Sequence, residues 1–312
     1  MKVTKKALKE RYQYYFGIDS QVRFRFVTVG KILFTTIAST IALFLLLWLV
    51  LELDFLFFRS FEIKGLVAFK NTFYEYISKK TLRVIPYIVG FFVIIIILGI
   101  YTSNLMLRPF KQISGFCKKY ADDPDNAQYD PDFFSDLKLL TRFSEFFFIK
   151  IKDVIENGED IEIPERYKKF HTPIFEAGFF FQSSFFIFIT AILSFVGSHG
   201  ILIEVHESLV SLADYTLKSD KETIGFLSAQ SEIFDAITWI VMMIHIVLNV
   251  FLVFNLYSQV SMPAFGVFAT MRSFLRGNRK ARIHLLGNYY LRSETKEINR
   301  FFSELEKKLT KN

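Results

Sequence analysis

A chain of 312 residues that is 52% hydrophobic, holds 39 Phe and has a mean hydropathy of +0.30 carries too much apolar surface for an ordinary water-soluble domain. Its net charge of +7 is concentrated beside apolar runs, where Lys and Arg meet anionic headgroups, so lipid rather than nucleic acid is the expected surface partner. The single cysteine, Cys117, excludes an internal disulfide.

Residues 1–31 form a basic and aromatic arm without a cleavable signal, so the first apolar run is expected to stay as an anchor. Four segments lack Asp, Glu, Lys and Arg and reach the roughly 20 residues that a helix needs to cross a bilayer: Ile32–Leu51, Val84–Leu107, Ala177–Ile203 and Ala236–Met271. They group into hairpins at 32–107 and 177–261. Basic residues number eight in Met1–Lys31, eleven in Leu107–Phe175 and eleven in Tyr257–Asn312, against two beside seven acids in Gly200–Asp235. By the positive-inside rule both termini and the middle segment are expected in the cytoplasm. The loop Asp54–Arg83 runs against that rule, with six basic residues and three acidic ones.

After the first hairpin, residues 108–157 open on Pro109, with Phe110, Ile113, Phe116 and Tyr120 at helical spacing. An acidic connector follows, and then a second stripe of Leu137, Leu140, Phe143, Phe147 and Ile151 begins after Ser135-Asp136. A linker, 158–176, includes an acidic stretch ending at Pro164. After the second hairpin, residues 262–312 repeat the order. Pro263 precedes Val267, Met271, Phe274 and Leu275; Gly277-Asn278 breaks the pattern; Arg279–Arg292 connects; and Ile298, Phe301, Phe302, Leu305 and Leu309 mark the last stripe. Glu294 and Glu297 suit the positive N-terminal end of that helix.

The two halves are in register. Glu10-Arg11-Tyr12 recurs as Glu165-Arg166-Tyr167, an offset of 155, and Pro109 recurs as Pro263, an offset of 154. Aligned on their serines, Ser135–Phe147 and Ser293–Leu305 share four identities in thirteen positions, with Asp136 facing Glu294.

At these residues the chain resembles the HAMP domain of bacterial transmembrane receptors. Pro263 is followed by Ala264, Val267, Phe274 and Gly277 at the family's offsets, and Glu294 matches the second acid of its acidic pair. Pro109 is followed by Phe110, Ile113 and Tyr120, but Asp123 replaces the Gly, so the first unit is a degenerate match. The resemblance implies an all-α membrane protein in which four transmembrane helices, in two hairpins, each time lead into a HAMP-like helix pair. It further implies a bundle able to shift between two packings, centred on Pro109, Ile113, Asp136, Leu140, Phe143, Pro263, Val267, Phe274, Gly277, Glu294, Ile298, Phe302 and Leu305.

One apolar stripe per helix needs partners to be buried. Two such units on one side of the membrane therefore point to an intramolecular pseudo-dimer, with a homodimer of whole chains as the alternative. The expected role is a sensor or signal adaptor of the bacterial inner membrane, with output through a cytoplasmic or membrane protein partner. The rivals are an assembly subunit of a membrane complex and a small transporter. No catalytic motif, cofactor motif or metal motif is present, so no enzyme activity is expected. His199, Glu204, His206 and Glu207 gather near the end of the third span as a possible input site, with a spacing that matches no metal motif. His245 and Asn249, one turn apart in the fourth span, fit interhelical packing better than a proton path.

Overall fold

The computed structural model describes residues 20–123, 127–130, 137–157, 162–217, 221–284 and 289–311. Among them every regular element is helical: α1 (Ser20–Ser60), α2 (Leu66–Asp122), α3 (Lys138–Asn157), the short α4 (Glu165–Lys168), α5 (Ala177–Thr216), α6 (Lys221–Ala229), α7 (Ser231–Leu275) and α8 (Arg292–Lys311), the last entered through a 3₁₀ turn, Tyr289–Leu291. Four stretches, Gln21–Ser60, Leu66–Asp122, Ala177–Thr216 and Lys221–Leu275, are long and apolar enough to cross a membrane. This is the build of a multi-pass membrane protein.

The helices exceed the apolar runs that nucleate them. At 1.5 Å per residue, the 41 residues of α1 reach about 60 Å and the 57 of α2 about 85 Å. A hydrocarbon core of about 30 Å covers only part of each. The remainder is amphipathic and buries its apolar stripe against protein.

The prolines do not open new helices. Pro109 lies inside α2 and Pro263 inside α7, and both helices run on past them. Each proline deletes one ladder hydrogen bond, and the turns on either side keep theirs. The break that the sequence places at Gly277-Asn278 is present. Gly277, at φ +92°, ends α7 in a Schellman motif: its own N–H reaches Phe274 O at 3.2 Å and that of Asn278 reaches Ser273 O at 3.2 Å. Gly65, at φ +85°, closes the turn between α1 and α2.

The chain divides into two compact units. One joins the residues up to Val29 with Gly99–Phe185 and Val253–Asn312; the other joins Gly30–Leu98 with Phe186–Leu252. The second has a core of Leu43, Leu47, Phe55, Phe69, Phe73, Leu202, Leu209 and Phe234. Within it, Glu52 of α1 accepts from Lys70 Nζ at 2.6 Å and from the Tyr74 hydroxyl at 2.8 Å, tying the hairpin together.

Candidate functional site

The first unit gathers the two proline-headed segments into one core. Phe116 of α2 meets Phe148 of α3 with ring centroids 4.1 Å apart, and Phe274 of α7 stacks on Phe302 of α8 at 5.2 Å. These contacts stay within each repeat. Others cross between repeats: Tyr120 to Phe301 at 5.1 Å, Phe143 to Phe268 at 4.6 Å, Phe147 to Phe302 at 5.8 Å and Phe148 to Phe301 at 5.7 Å. Phe143, Phe147, Phe274, Phe301 and Phe302 are at most 1% exposed. Burying an aromatic or aliphatic side chain contributes roughly 1.5–3 kcal/mol, so this joint core dominates the packing of the segment.

The residues singled out by the HAMP-like pattern fall into place as follows. Ile113, Leu140, Phe143, Val267, Phe274, Ile298, Phe302 and Leu305 are all buried. Pro109 and Pro263 are buried as well, and Gly277 is the exposed cap of α7. Asp136 and Ser135 lie outside the described residues, as do Glu10, Arg11 and Tyr12.

Glu294 is 5% exposed, and its carboxylate accepts from the side-chain amide of Gln21 in α1 and from the Ser293 hydroxyl. Beside it, Phe24 of α1 packs on Tyr290 with centroids 4.5 Å apart. The Tyr290 hydroxyl in turn donates to the carbonyl of Gln259. That carbonyl stands four residues before Pro263, which has no N–H to offer it. The proline thus creates an acceptor inside α7, and the connector to α8 occupies it.

The other repeat is held in a corresponding way. Glu176, 155 positions after Gln21, accepts from the backbone N–H groups of Lys138 at 2.6 Å and Leu139 at 3.0 Å, capping the head of α3. Burial pushes the Glu176 carboxyl above its ordinary range, against the pull of those two N–H groups. The Tyr257 hydroxyl accepts from the Glu176 N–H at 2.8 Å and donates to Ile174 O at 3.2 Å. So the arm before the first span holds the head of α8, and the arm before the third span holds the head of α3. Each arm grips a helix of the other repeat.

Several of these anchors leave no mark in the sequence pattern. Arg272 donates to the carbonyls of Tyr167 at 2.9 Å and Phe170 at 2.6 Å, pinning the linker 162–176 onto α7. The connector before α8 is fixed by Asn299, whose side-chain amide accepts from Ile283 N–H at 2.8 Å and donates to Ile283 O at 3.0 Å. Arg282 pairs with Glu306 on the same helix.

The possible input residues do not converge. Glu204 is paired with Lys80 at 2.8 Å, His199 stacks on Phe195 at 5.7 Å, His206 meets the edge of Phe234 at 5.4 Å, and Glu207 is exposed. Among the described residues no three His, Cys, Asp or Glu side chains are grouped to hold a metal ion.

In the membrane-crossing stretch, Asn249 Nδ2 lies 3.1 Å from His245 Nε2, and His245 Nδ1 lies 2.8 Å from the Ser39 hydroxyl. The Ser39 hydroxyl donates onward to Thr35 O at 2.9 Å. An Asn donor at Nε2 places the ring proton on Nδ1, facing Ser39. The chain of donors is then complete, and it ties α7 to α1.

No family model matches this chain, and neither do any curated protein or solved structure.

Proposed function

We propose that this protein is a membrane-embedded signal adaptor of the bacterial inner membrane, which passes a conformational bias from its spans to a helical bundle read by a separate protein. The carrying observation is the joint at Pro263. There an acceptor freed inside a membrane-crossing helix holds Tyr290, Tyr290 packs on Phe24 of α1, and Glu294 next to it bonds Gln21 of α1. A rotation or shift of α7 against α1 changes all of these contacts together, and they are the entry to α8. A relay needs an element with two packings of similar energy, biased from one end. In this reading the element with two packings is the core of aromatic rings crossing between α2, α3, α7 and α8, within which the buried Glu294 and Arg272 must keep their partners.

The two HAMP-like units act as a pseudo-dimer within one chain, and both termini lie in the cytoplasm with the bundle. Output passes through a cytoplasmic or membrane partner, and the protein performs no catalysis itself.

The test is a distance measurement on the full chain in lipid nanodiscs. Spin labels are placed on cysteines substituted at the exposed positions Ile149 and Lys307, with the buried Cys117 replaced by alanine. The relay reading expects two distance populations whose ratio changes on Pro263→Ala or Tyr290→Phe. A single population that neither substitution moves would assign the bundle to a static docking role in a membrane assembly.

A further inference from the structure

The second unit contains an apolar groove of about 480 Å³, inside the range of roughly 300–1,000 Å³ in which small-molecule sites fall. Its walls are Leu47 and Trp48 of α1, Phe73, Ile77 and Val84 of α2, and Val205 of α5. Trp48 and Ile88 at its lips are 51% and 37% exposed, so the groove opens sideways between α1 and α2. The opening has a cause in the helices: only 11% of the apolar window of α2 is buried, against 33% in each of the other three spans. Water gains little here, because the walls offer almost no polar partners. Hydrocarbon is the solvent that fills such a space.

The mouth is charged. Lys80 Nζ sits 2.8 Å from Glu204 and 3.2 Å from the Ser208 hydroxyl, where the charge-free stretch of α2 is about to begin at Val84. Arg83, one turn along, is exposed. Both belong to Asp54–Arg83, whose six basic residues against three acidic ones break the charge rule that the rest of the chain follows. Glu52 already meets Lys70 and Glu204 meets Lys80, so the part of the excess left for an anionic group at the headgroup level beside this mouth is carried by Arg83, with Lys80 shared between that group and Glu204. An arginine guanidinium binds a phosphate through paired donors.

We propose that this groove is a binding site for an anionic membrane phospholipid, with one acyl chain between α1 and α2 and the phosphate at Arg83 and Lys80. The site stands apart from the relay reading, since a static subunit would hold the same lipid.

The experiment uses the full chain in phosphatidylcholine nanodiscs containing a small fraction of phosphatidylglycerol with a photoreactive diazirine in its acyl chain. After irradiation, the label is expected to concentrate on peptides covering Thr40–Leu51 and Ile77–Ile88. Val84→Trp, which fills the groove, is expected to abolish that labelling while leaving the label near Ile97 unchanged. Val84→Phe serves the same purpose should the larger ring prevent folding. Lys80→Gln or Arg83→Gln is expected to lower the preference for the anionic probe over its phosphatidylcholine counterpart about fivefold, the factor for one basic residue at an anionic surface. Even labelling along the whole of α2, insensitive to Val84→Trp, would reduce the groove to ordinary annular lipid. Absence of label on Ile77–Ile88, together with a disulfide joining two copies that carry Ile88→Cys with Cys117 replaced by alanine, would assign the face to a protein interface instead. Either result overturns the proposal.

Discussion

Tyr290 donates its hydroxyl to the carbonyl of Gln259, the acceptor left without an amide partner by Pro263. The two residues are 31 positions apart, and Tyr290 is 3% exposed. Tyr290→Phe strands that carbonyl in a dry environment and is expected to cost about 1–3 kcal/mol of stability. In a Pro263→Ala background the restored N–H at position 263 satisfies Gln259, and the same substitution is expected to cost much less. Unfolding in a mild detergent for the four species of this cycle measures the coupling. Equal costs in both backgrounds would refute the pairing.

Gly277 offers a separate test of backbone geometry. A methyl group there meets nothing within 4 Å, yet φ is +92°. Gly277→Ala is therefore expected to destabilise the bundle by about 1–2 kcal/mol through the left-handed backbone alone. Gly277→Asn is expected to cost less than Gly277→Ala, because asparagine tolerates that region. Denaturant midpoints of the two variants rank them.

Glu176 makes stability depend on pH. Burial raises its carboxyl above the ordinary value of 4.5, so the folded protein keeps this proton to higher pH than the unfolded chain does. Stability from this group is greatest below 4.5 and falls as pH rises through the raised value. Glu176→Gln retains an acceptor for the head of α3 and has no proton to release. It is expected to flatten the thermal midpoint over that window relative to the parent, and a parent profile that rises there would contradict the assignment.

The aromatic core and its surface separate sharply. Phe301, 1% exposed, touches Phe116, Tyr120 and Phe148. Phe301→Ala is expected to cost about 3–5 kcal/mol. Ile149 is 57% exposed on α3, and Ile149→Ala is expected to stay within about 0.5 kcal/mol of the parent. Comparable losses at the two positions would mean that the stripes are not packed on each other.

Ser39, His245 and Asn249 act as one network. Ser39→Ala is expected to cost about 1 kcal/mol, the scale of an interhelical hydrogen bond within a bilayer. Combined with Asn249→Ala, it is expected to cost less than the two separate losses added, because both remove support from the same imidazole. Thermal unfolding in nanodiscs reads both.

Much of the architecture was legible in the residue pattern, because hydrophobic periodicity and charge-free length are direct records of burial and of the bilayer. The stripes through Ile113, Phe143, Phe274 and Phe302 are buried as their spacing required, and Gly277 ends its helix. The helix ends beyond the membrane were harder, since an amphipathic extension such as Ser20–Gly30 has no charge-free run to announce it. Pro263 lies in an unbroken helix, and the bond it deletes is replaced by the Tyr290 hydroxyl from 27 positions further on, a partner that no residue spacing announces. Arg272, Glu176 and Asn299 could not be found from spacing. Each binds backbone N–H or C=O groups, and a main-chain partner imposes no residue type on the sequence that supplies it.

The exchange of arms between repeats has a consequence for biogenesis. Gln21 finds its acceptor on Glu294 only after 273 further residues have left the ribosome, and α3 waits for Glu176 and the rings of α7. Until then the stripe through Leu140 and Phe147 has no cover, and non-local closure is slow and exposes sticky surface. A fragment stopped after the first repeat is expected to leave that stripe exposed, so the rings that bury it come from the second half of the chain.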